Sequence, residues 1–305
     1  GKELYDLIIG PLAAELEGAR AKTIMFYLDG PLRYIPMGAL HDGDKFLVES
    51  YATALFVDTA KDKLLENPDF SPKVMGFGVT KDHPGFPALF AVREELDSII
   101  GSGGAARGAM TGASFYDENF TREKFYENLR TGASVVHVAS HFKFENAPGQ
   151  SFLLLGDGKP LTVSAIKRGL SLGGLDLLTL SACDTASGIS GGNGSEVESL
   201  GDATMKKGAM SVLATLWPVN DVSTASLMAD FYTLRYGDSM DKAQALRRAQ
   251  LNLMKNIGSP AGASPRGSSV AAFGNIENPV DDPWTGEGFG HPYYWAPFII
   301  MGNWK

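Results

Sequence analysis

Two short apolar runs, each ending at a chemically reactive residue, dominate the hydrophobic pattern of the second half of the chain. Residues 175–180 are mostly apolar and lead to Cys183, and residues 133–139 are rich in β-branched side chains and lead to His141. Runs of this length, bounded by small and turn-forming residues, are typical of strands buried on both faces of a parallel sheet. Because chemistry in such sheets collects where the chain leaves the carboxyl ends of the strands, Cys183 and His141 are the first candidates for a functional site.

Beyond residue 73 the pattern alternates between strands and helices. Strands are predicted at 73–79, 105–110, 133–139, 151–155, 175–180, 209–216 and 293–301, and helices at 91–100, 121–130, 162–168, 195–207, 221–235 and 241–254. Such alternation implies right-handed βαβ crossovers. We therefore predict an α/β fold with a mostly parallel central sheet and helices on both faces.

The remaining segments break this rhythm. Residues 1–70 are expected to form an N-terminal subdomain or an extension of the sheet, before a catalytic part at 71–305. This first part has two helical pieces within 3–16, strands at 23–28, 32–35, 46–48 and 52–57, and a hairpin around 41–44. Residues 257–292 are rich in Gly, Pro, Ser and Asn, and a loop of that length is usually functional or disordered.

Composition and charge narrow the function classes. The chain has 305 residues, 44% hydrophobic content and a net charge of −8, which fits one large globular domain and disfavours nucleic acid as a direct partner. We find no apolar run of membrane-spanning length and no signal peptide. A single cysteine cannot form an internal disulfide, so we expect a cytoplasmic protein. The chain does not begin with methionine, and we expect upstream segments to exist.

Each reactive residue has a structural alternative. A lone cysteine is often a small core residue, although the position of Cys183 at a strand end beside a Gly-rich stretch favours a nucleophile. Two histidines share the other strand end. His137 lies deeper in the strand and is interpreted as structural, whereas His141 lies at the exit and is interpreted as the general base.

Other chemistries lack support in the sequence. No Cys and His cluster has zinc-ligand spacing, so no metal or other cofactor is expected. The glycines at 188–194 are not followed by the Gly-Lys-Ser/Thr of a phosphate-binding loop and are interpreted as part of a substrate loop. Ser140 and Ser181 are not surrounded by the motif that exposes a serine nucleophile.

The residues also carry a family resemblance. Characteristic stretches include His-Val-Ala-Ser-His at 137–141 and Leu-Ser-Ala-Cys-Asp-Thr-Ala-Ser-Gly at 180–188. Further matching stretches lie at residues 4–12, 28–36, 208–221, 231–232, 245–250 and 291–298. Together they resemble the CHAT domain, the caspase-like domain often found after TPR repeats, in the caspase and separase clan of cysteine peptidases. The resemblance extends over almost the whole chain.

The resemblance implies a caspase-like three-layer fold and a cysteine endopeptidase in which His141 and Cys183 form the catalytic dyad. The substrate would be a specific protein or peptide, and a TPR or other regulatory domain would lie upstream. The family usually has glycine after the catalytic histidine, where this chain has Phe142. The alternative is a catalytically silent scaffold that binds a partner protein through the same groove.

The resemblance also indicates where substrate would bind. In this fold class the backbone N–H groups of Cys183 and Phe142 would stabilise the oxyanion, and backbone donors do not require glycine. Separase-like and clostripain-like relatives often select a basic P1 residue through an acidic pocket. The candidate carboxylates for such a pocket are Asp184, Asp29, Asp157 and Glu196, although Asp184 could equally cap a turn or helix.

Overall fold

The computed structural model of the protein describes residues 1–66, 73–101, 110–143, 145, 150–181, 195–217, 219, 221–255 and 289–305, with the backbone alone at 195–200 and 221. Strands are β1 (Thr23–Phe26), β2 (Ala52–Leu55), β3 (Lys73–Gly78), β4 (Ile100–Gly101), β5 (Met110–Tyr116), β6 (Val135–Ala139), β7 (Phe142–Lys143), β8 (Phe152–Leu154), β9 (Pro160–Thr162), β10 (Leu177–Leu180), β11 (Ser211–Thr215) and β12 (Phe298–Gly302).

Helices cover much of the remaining described chain. They are α1 (Lys2–Ile8), α2 (Ala13–Gly18), α3 (Leu47–Ser50), α4 (Val92–Ile99), α5 (Arg122–Leu129), α6 (Val163–Gly169), α7 (Ser195–Lys206), α8 (Asp221–Tyr232), α9 (Lys242–Met254) and α10 (Pro292–Trp295). A π-helical turn at Thr233–Gly237 continues α8.

A central sheet has the strand order β1-β2-β12-β11-β10-β6-β3-β5-β4. Strands β11, β10, β6, β3, β5 and β4 all run in one direction. Strand β12 is antiparallel to β11 and parallel to β2, which is parallel to β1. The sheet is therefore mostly parallel, with β12, β2 and β1 running opposite to the other strands.

Helices cover both faces of this sheet. Val136 and Val138 of β6 belong to a hydrophobic cluster with residues of α5, α6 and α7. Val135, which points to the other face, belongs to a cluster with residues of α4, α8 and α9. This alternation follows from the two-residue side-chain period of a strand. The prediction of a three-layer α/β fold with a mostly parallel central sheet is confirmed.

Several local predictions in the N-terminal and C-terminal parts were wrong. The strand predicted at 32–35 is instead part of a 3₁₀ helix at Gly30–Tyr34. Gly30 starts it with a φ of +54°, Pro31 fixes the first turn, and the Asp29 carboxylate accepts a hydrogen bond from the Gly30 N–H. The predicted strand at 46–48 is instead the start of α3. The predicted strand at 293–301 begins as α10, and β12 starts only at Phe298.

Other local predictions concern loops and edges. A bridge between His41 and Phe46 closes the turn predicted around 41–44. Two other predicted segments lie mostly outside the described residues: the strand at 105–110 and the long loop, of which residues 257–288 are not described.

Within the described part of the chain, none of the helices has the length and apolar character to cross a membrane.

Candidate active site

The strands that lead to the two candidate residues are neighbours in the centre of the sheet. Strand β10 pairs in parallel with β6, with Leu177 opposite Val135 and Leu180 opposite Val138. The Ser181 N–H still donates to the Val138 carbonyl at 2.9 Å. Both strands therefore end at the same edge of the sheet, which is where functional residues of parallel sheets collect.

His141 leaves this edge directly after β6, whereas Cys183 lies outside the described residues. The sequence spacing is nevertheless matched: His141 follows Val138 by three residues, and Cys183 follows its register partner Leu180 by three residues. Beyond β6 the chain turns into a small antiparallel sheet of β7, β8 and β9, in which the Leu154 N–H donates to the His141 carbonyl at 2.8 Å. The backbone of His141 is thus held by β8 directly after it leaves the central sheet.

The imidazole of His141 is oriented by the segment that follows β3. Its Nε2 is 2.9 Å from the carbonyl oxygen of Pro87, and its ring lies 5.2 Å from the ring of Phe86. A carbonyl oxygen can only accept, so Nε2 carries a proton in this contact. In the neutral imidazole the other nitrogen, Nδ1, is then the basic one.

The segment that holds His141 is itself fixed at several points. His83 and Phe86 exchange backbone hydrogen bonds of 2.9 and 2.8 Å across a tight turn. Further back, the N–H and hydroxyl of Thr80 donate to the Asp117 carboxylate at 2.8 and 2.7 Å. A Cβ at Gly156 would lie 2.2 Å from the Asp117 carbonyl oxygen, so only glycine allows this close approach. Loops from three strands therefore brace one another beside His141.

Phe142 directs its side chain away from the candidate site. The ring is 1% exposed and lines an apolar cavity together with Phe125, Leu153 and Ile166. Because His141 and Leu154 form the hydrogen-bonded pair of the β7 and β8 ladder, the N–H of Phe142 points away from β8. Any part that Phe142 takes in binding substrate would therefore involve its backbone.

Two of the four acidic residues predicted for a substrate pocket, Asp29 and Asp157, have described side chains, and they lie in different parts of the structure. Asp29 follows β1, which runs opposite to β6 and β10, so Asp29 lies beyond the other edge of the sheet; its carboxylate is 97% exposed and 3.4 Å from Arg33. The Asp157 carboxylate pairs with the Lys159 ammonium at 2.9 Å within a turn. Asp29 therefore lies far from His141, whereas Asp157 lies on the loop after β8 that packs beside the His141 segment. Asp184 and the side chain of Glu196 lie outside the described residues.

One residue near the site was missed in the sequence. Glu95 on α4 is 3% exposed and contacts both His137 and Ser181. A signal was present: Glu95 shares the apolar stripe of α4 with Val92, Leu96 and Ile99, where a charged residue needs a buried partner. Among the described residues, no group of three or more His, Cys, Asp and Glu side chains is arranged to hold a metal ion.

Comparisons with known proteins agree with this architecture. The structure is similar to gingipain R, described as an Arg-specific cysteine proteinase, with a TM-score of 0.55 and 9% identity over 96% of this chain. It is also similar to Saccharomyces cerevisiae separase from a complex with securin, with a TM-score of 0.50 and 12% identity over 88% of this chain. The chain spans 65% of the gingipain chain and 14% of the separase chain.

At these identities the likeness concerns the fold. No curated protein matches the sequence significantly. A family profile described as the CHAT domain matches residues 1–303. The chain therefore belongs to the CHAT domain family, and it has the caspase-like fold found in gingipain R and separase.

Proposed function

We propose that this CHAT domain is a cysteine endopeptidase that cleaves a specific protein substrate through His141 and Cys183, under the control of a partner or a flanking domain. The observation that supports this most is the exit of β6. There His141 has its Nε2 proton fixed by the Pro87 carbonyl, next to the strand that leads to the single cysteine of the chain.

The chemistry follows from the tautomer of His141. Its Nδ1 takes the proton of the Cys183 thiol, and the thiolate attacks the carbonyl carbon of the scissile peptide. As the imidazole becomes an imidazolium, the hydrogen bond from Nε2 to Pro87 becomes charge-assisted and stronger. The same imidazolium then returns its proton to the leaving amine. Water hydrolyses the thioester and regenerates the thiol.

The developing oxyanion needs donors that are already in place. We assign this role to the backbone N–H groups of Cys183 and Phe142. The direction of the Phe142 N–H away from β8 supports the assignment, and the buried ring would hold that part of the backbone rigid. Removal of one oxyanion donor commonly lowers kcat by a factor of about 10²–10³, so a rigid backbone at Phe142 would favour catalysis.

For the substrate we propose a basic P1 residue. Gingipain R is described as Arg-specific, and the present chain is acidic, with Asp184 directly after the proposed nucleophile. A charge-assisted pair with a partly buried carboxylate gives about 1.5–3 kcal/mol, or roughly ten- to a hundred-fold discrimination. Since Asp29 lies at the other end of the sheet, Asp184, Asp157 and Glu196 are the remaining candidates.

The dyad is tested with Cys183→Ala and His141→Ala. Each should abolish cleavage of the physiological substrate while leaving the circular dichroism spectrum unchanged, because the two side chains act as one unit. In the parent chain, iodoacetamide should label Cys183 at neutral pH far faster than free cysteine. Ordinary thiol reactivity together with intact partner binding would instead identify a catalytically silent scaffold.

The P1 preference is tested by profiling a peptide library with every residue type at P1 against the active form, and repeating it with Asp184→Ala. We expect Lys or Arg to be preferred and Asp184→Ala to reduce that preference. A basic preference that survives Asp184→Ala would move the pocket to Asp157 or Glu196. A preference for acidic or small apolar P1 residues would contradict the proposal.

A further inference from the structure

A buried chain of hydrogen bonds lies directly beneath the exits of β6 and β10. The Oε1 atom of Glu95 is 2.9 Å from Nε2 of His137 and 2.7 Å from Oγ of Ser181. On the other side of the imidazole, Nδ1 of His137 is 3.1 Å from the hydroxyl of Tyr232, which is 2.7 Å from Oγ1 of Thr179. Each of these five residues is at most 8% exposed.

The proton positions in this chain follow from the acceptors. As a carboxylate, Glu95 can only accept, so Ser181 donates its hydroxyl proton and His137 donates from Nε2. A neutral His137 then accepts at Nδ1 from the phenol of Tyr232. Burial raises the pKa of Tyr232 well above its ordinary value, which keeps that phenol protonated. Every polar atom named here thereby has a hydrogen-bond partner.

The Glu95 carboxylate connects β6 and β10 close to the residues of the proposed dyad. Ser181 precedes Cys183 by two residues, and His137 precedes His141 by four. Because one oxygen atom receives both hydrogen bonds, the two side chains are tied to a common point, in addition to the backbone ladder between β6 and β10. Helix α4, which carries Glu95, therefore links the ends of β6 and β10 through their side chains.

We propose that Glu95 is a positioning residue, which acts through Ser181 and His137 to set the geometry of the catalytic dyad. The inference rests on the proposed function, since His141 and Cys183 supply the chemistry. A purely structural role explains this site less well. Burying a carboxylate is costly, and an apolar side chain would suit the Val92, Leu96 and Ile99 stripe without that cost. Fully satisfied buried networks, by contrast, restrict a site to one geometry.

The experiment measures the rate at which iodoacetamide alkylates the chain as a function of pH. The chain has one cysteine, so the label reports only on Cys183 and needs no substrate. The variants are Ser181→Ala and Glu95→Gln. The matched control is Ser211→Ala, because Ser211 is also a buried serine and donates at 2.5 Å to the Asp176 carbonyl, at the opposite edge of the sheet. Melting temperatures identify variants that fail to fold.

A thiol that loses its coupling to the histidine returns to a pKa near 8.5, at which about 3% is thiolate at pH 7. Complete loss of positioning would therefore slow alkylation at pH 7 by about thirtyfold. We expect Ser181→Ala and Glu95→Gln to slow it by about tenfold and to shift the pH profile to higher pH. We expect Ser211→Ala to lower the melting temperature without altering the profile.

The outcomes separate the two proposals. If the parent thiol is hyper-reactive in a manner that requires His141, but folded Ser181→Ala and Glu95→Gln keep its pH profile, the positioning role of Glu95 is wrong and the proposed function stands. The same conclusion follows if Ser211→Ala shifts the profile as much as Ser181→Ala. If the parent thiol behaves as an ordinary cysteine and ignores His141→Ala, both proposals are wrong.

Discussion

Replacing Phe142 by alanine should cost the protein much stability and leave the chemistry of its thiol intact. Phe142 occupies the position after the proposed catalytic histidine, yet its ring is 1% exposed. Truncation to alanine removes about 150 Å² of buried apolar surface, or about 4 kcal/mol at 25 cal/mol/Å². This value lies within the 3–5 kcal/mol typical of buried Phe→Ala substitutions. It is a large fraction of the 5–15 kcal/mol that stabilises a typical domain.

The expected shift in melting temperature follows from the size of the chain. With an unfolding entropy of about 2.1 cal/mol/K per residue, 305 residues give about 0.6 kcal/mol/K, so 4 kcal/mol corresponds to roughly 6 °C. Thermal unfolding monitored by circular dichroism at one fixed scan rate measures this shift. Iodoacetamide alkylation at 20 °C, well below the transition, measures whether the dyad is preserved.

Phe125→Ala provides the matched control, because Phe125 is 3% exposed and lines the same apolar cavity from α5. Both variants should melt several degrees below the parent and should be alkylated at the parental rate. The reasoning is refuted if Phe142→Ala melts within about 1 °C of the parent, since the expected shift is about 6 °C. It is also refuted if Phe142→Ala alone changes the alkylation rate, since the ring would then contribute to the site itself.

Further predictions concern charge balance and close packing. The Asp176 carboxylate is buried 2.7 Å from Lys242 and 3.6 Å from Arg235. Asp176→Asn leaves two buried cations without a counter-charge, so it should lower the free energy of unfolding in urea by about 3–5 kcal/mol. Lys242→Met leaves the oppositely charged Asp176 and Arg235 together and should cost far less. Burial lowers the pKa of Lys242. Between that lowered pKa and the pKa of lysine in the unfolded chain, only the unfolded state binds the proton, so the free energy of unfolding should rise with pH. Lys242→Met should remove this rise, and an equal rise in the variant would contradict the reasoning. Gly156→Ala should lower the free energy of unfolding by about 1–3 kcal/mol and slow the alkylation of Cys183, because its Cβ would clash with the Asp117 backbone beside the segment that holds His141. Parental stability and reactivity in this variant would show that this contact is unimportant.

The parts of the fold that sequence patterns could predict are those decided locally. Strands β6 and β10 are continuous buried runs, and their mostly apolar residue types indicate burial on both faces of the sheet. The exit of His141 from the sheet follows from its place just after such a run. Helix α9 could be predicted because its apolar face repeats with helical period and Asp241 caps it.

The parts that could not be predicted depend on contacts between distant segments. The direction of β1 is set through β2 by the pairing of Met301 with Leu55, so no local pattern indicates that Asp29 lies at the far edge. Glu95 is likewise recognisable as an unusual buried acid, but its two partners, His137 and Ser181, lie on strands far along the chain. The Pro87 carbonyl that orients His141 is a backbone group, which the identity of a side chain does not reveal.

The position of β12 has a consequence for how the protein folds. This strand separates β2 from β11, and its contact between Met301 and Leu55 joins residues 246 positions apart (301 − 55). Contacts of such high sequence separation form slowly because a long loop must close first. Until β12 inserts, the facing edges of β2 and β11 remain open to other strands, a state in which sheets tend to aggregate. Nascent chains are therefore most in need of chaperone protection in the interval before residues 298–302 take their place.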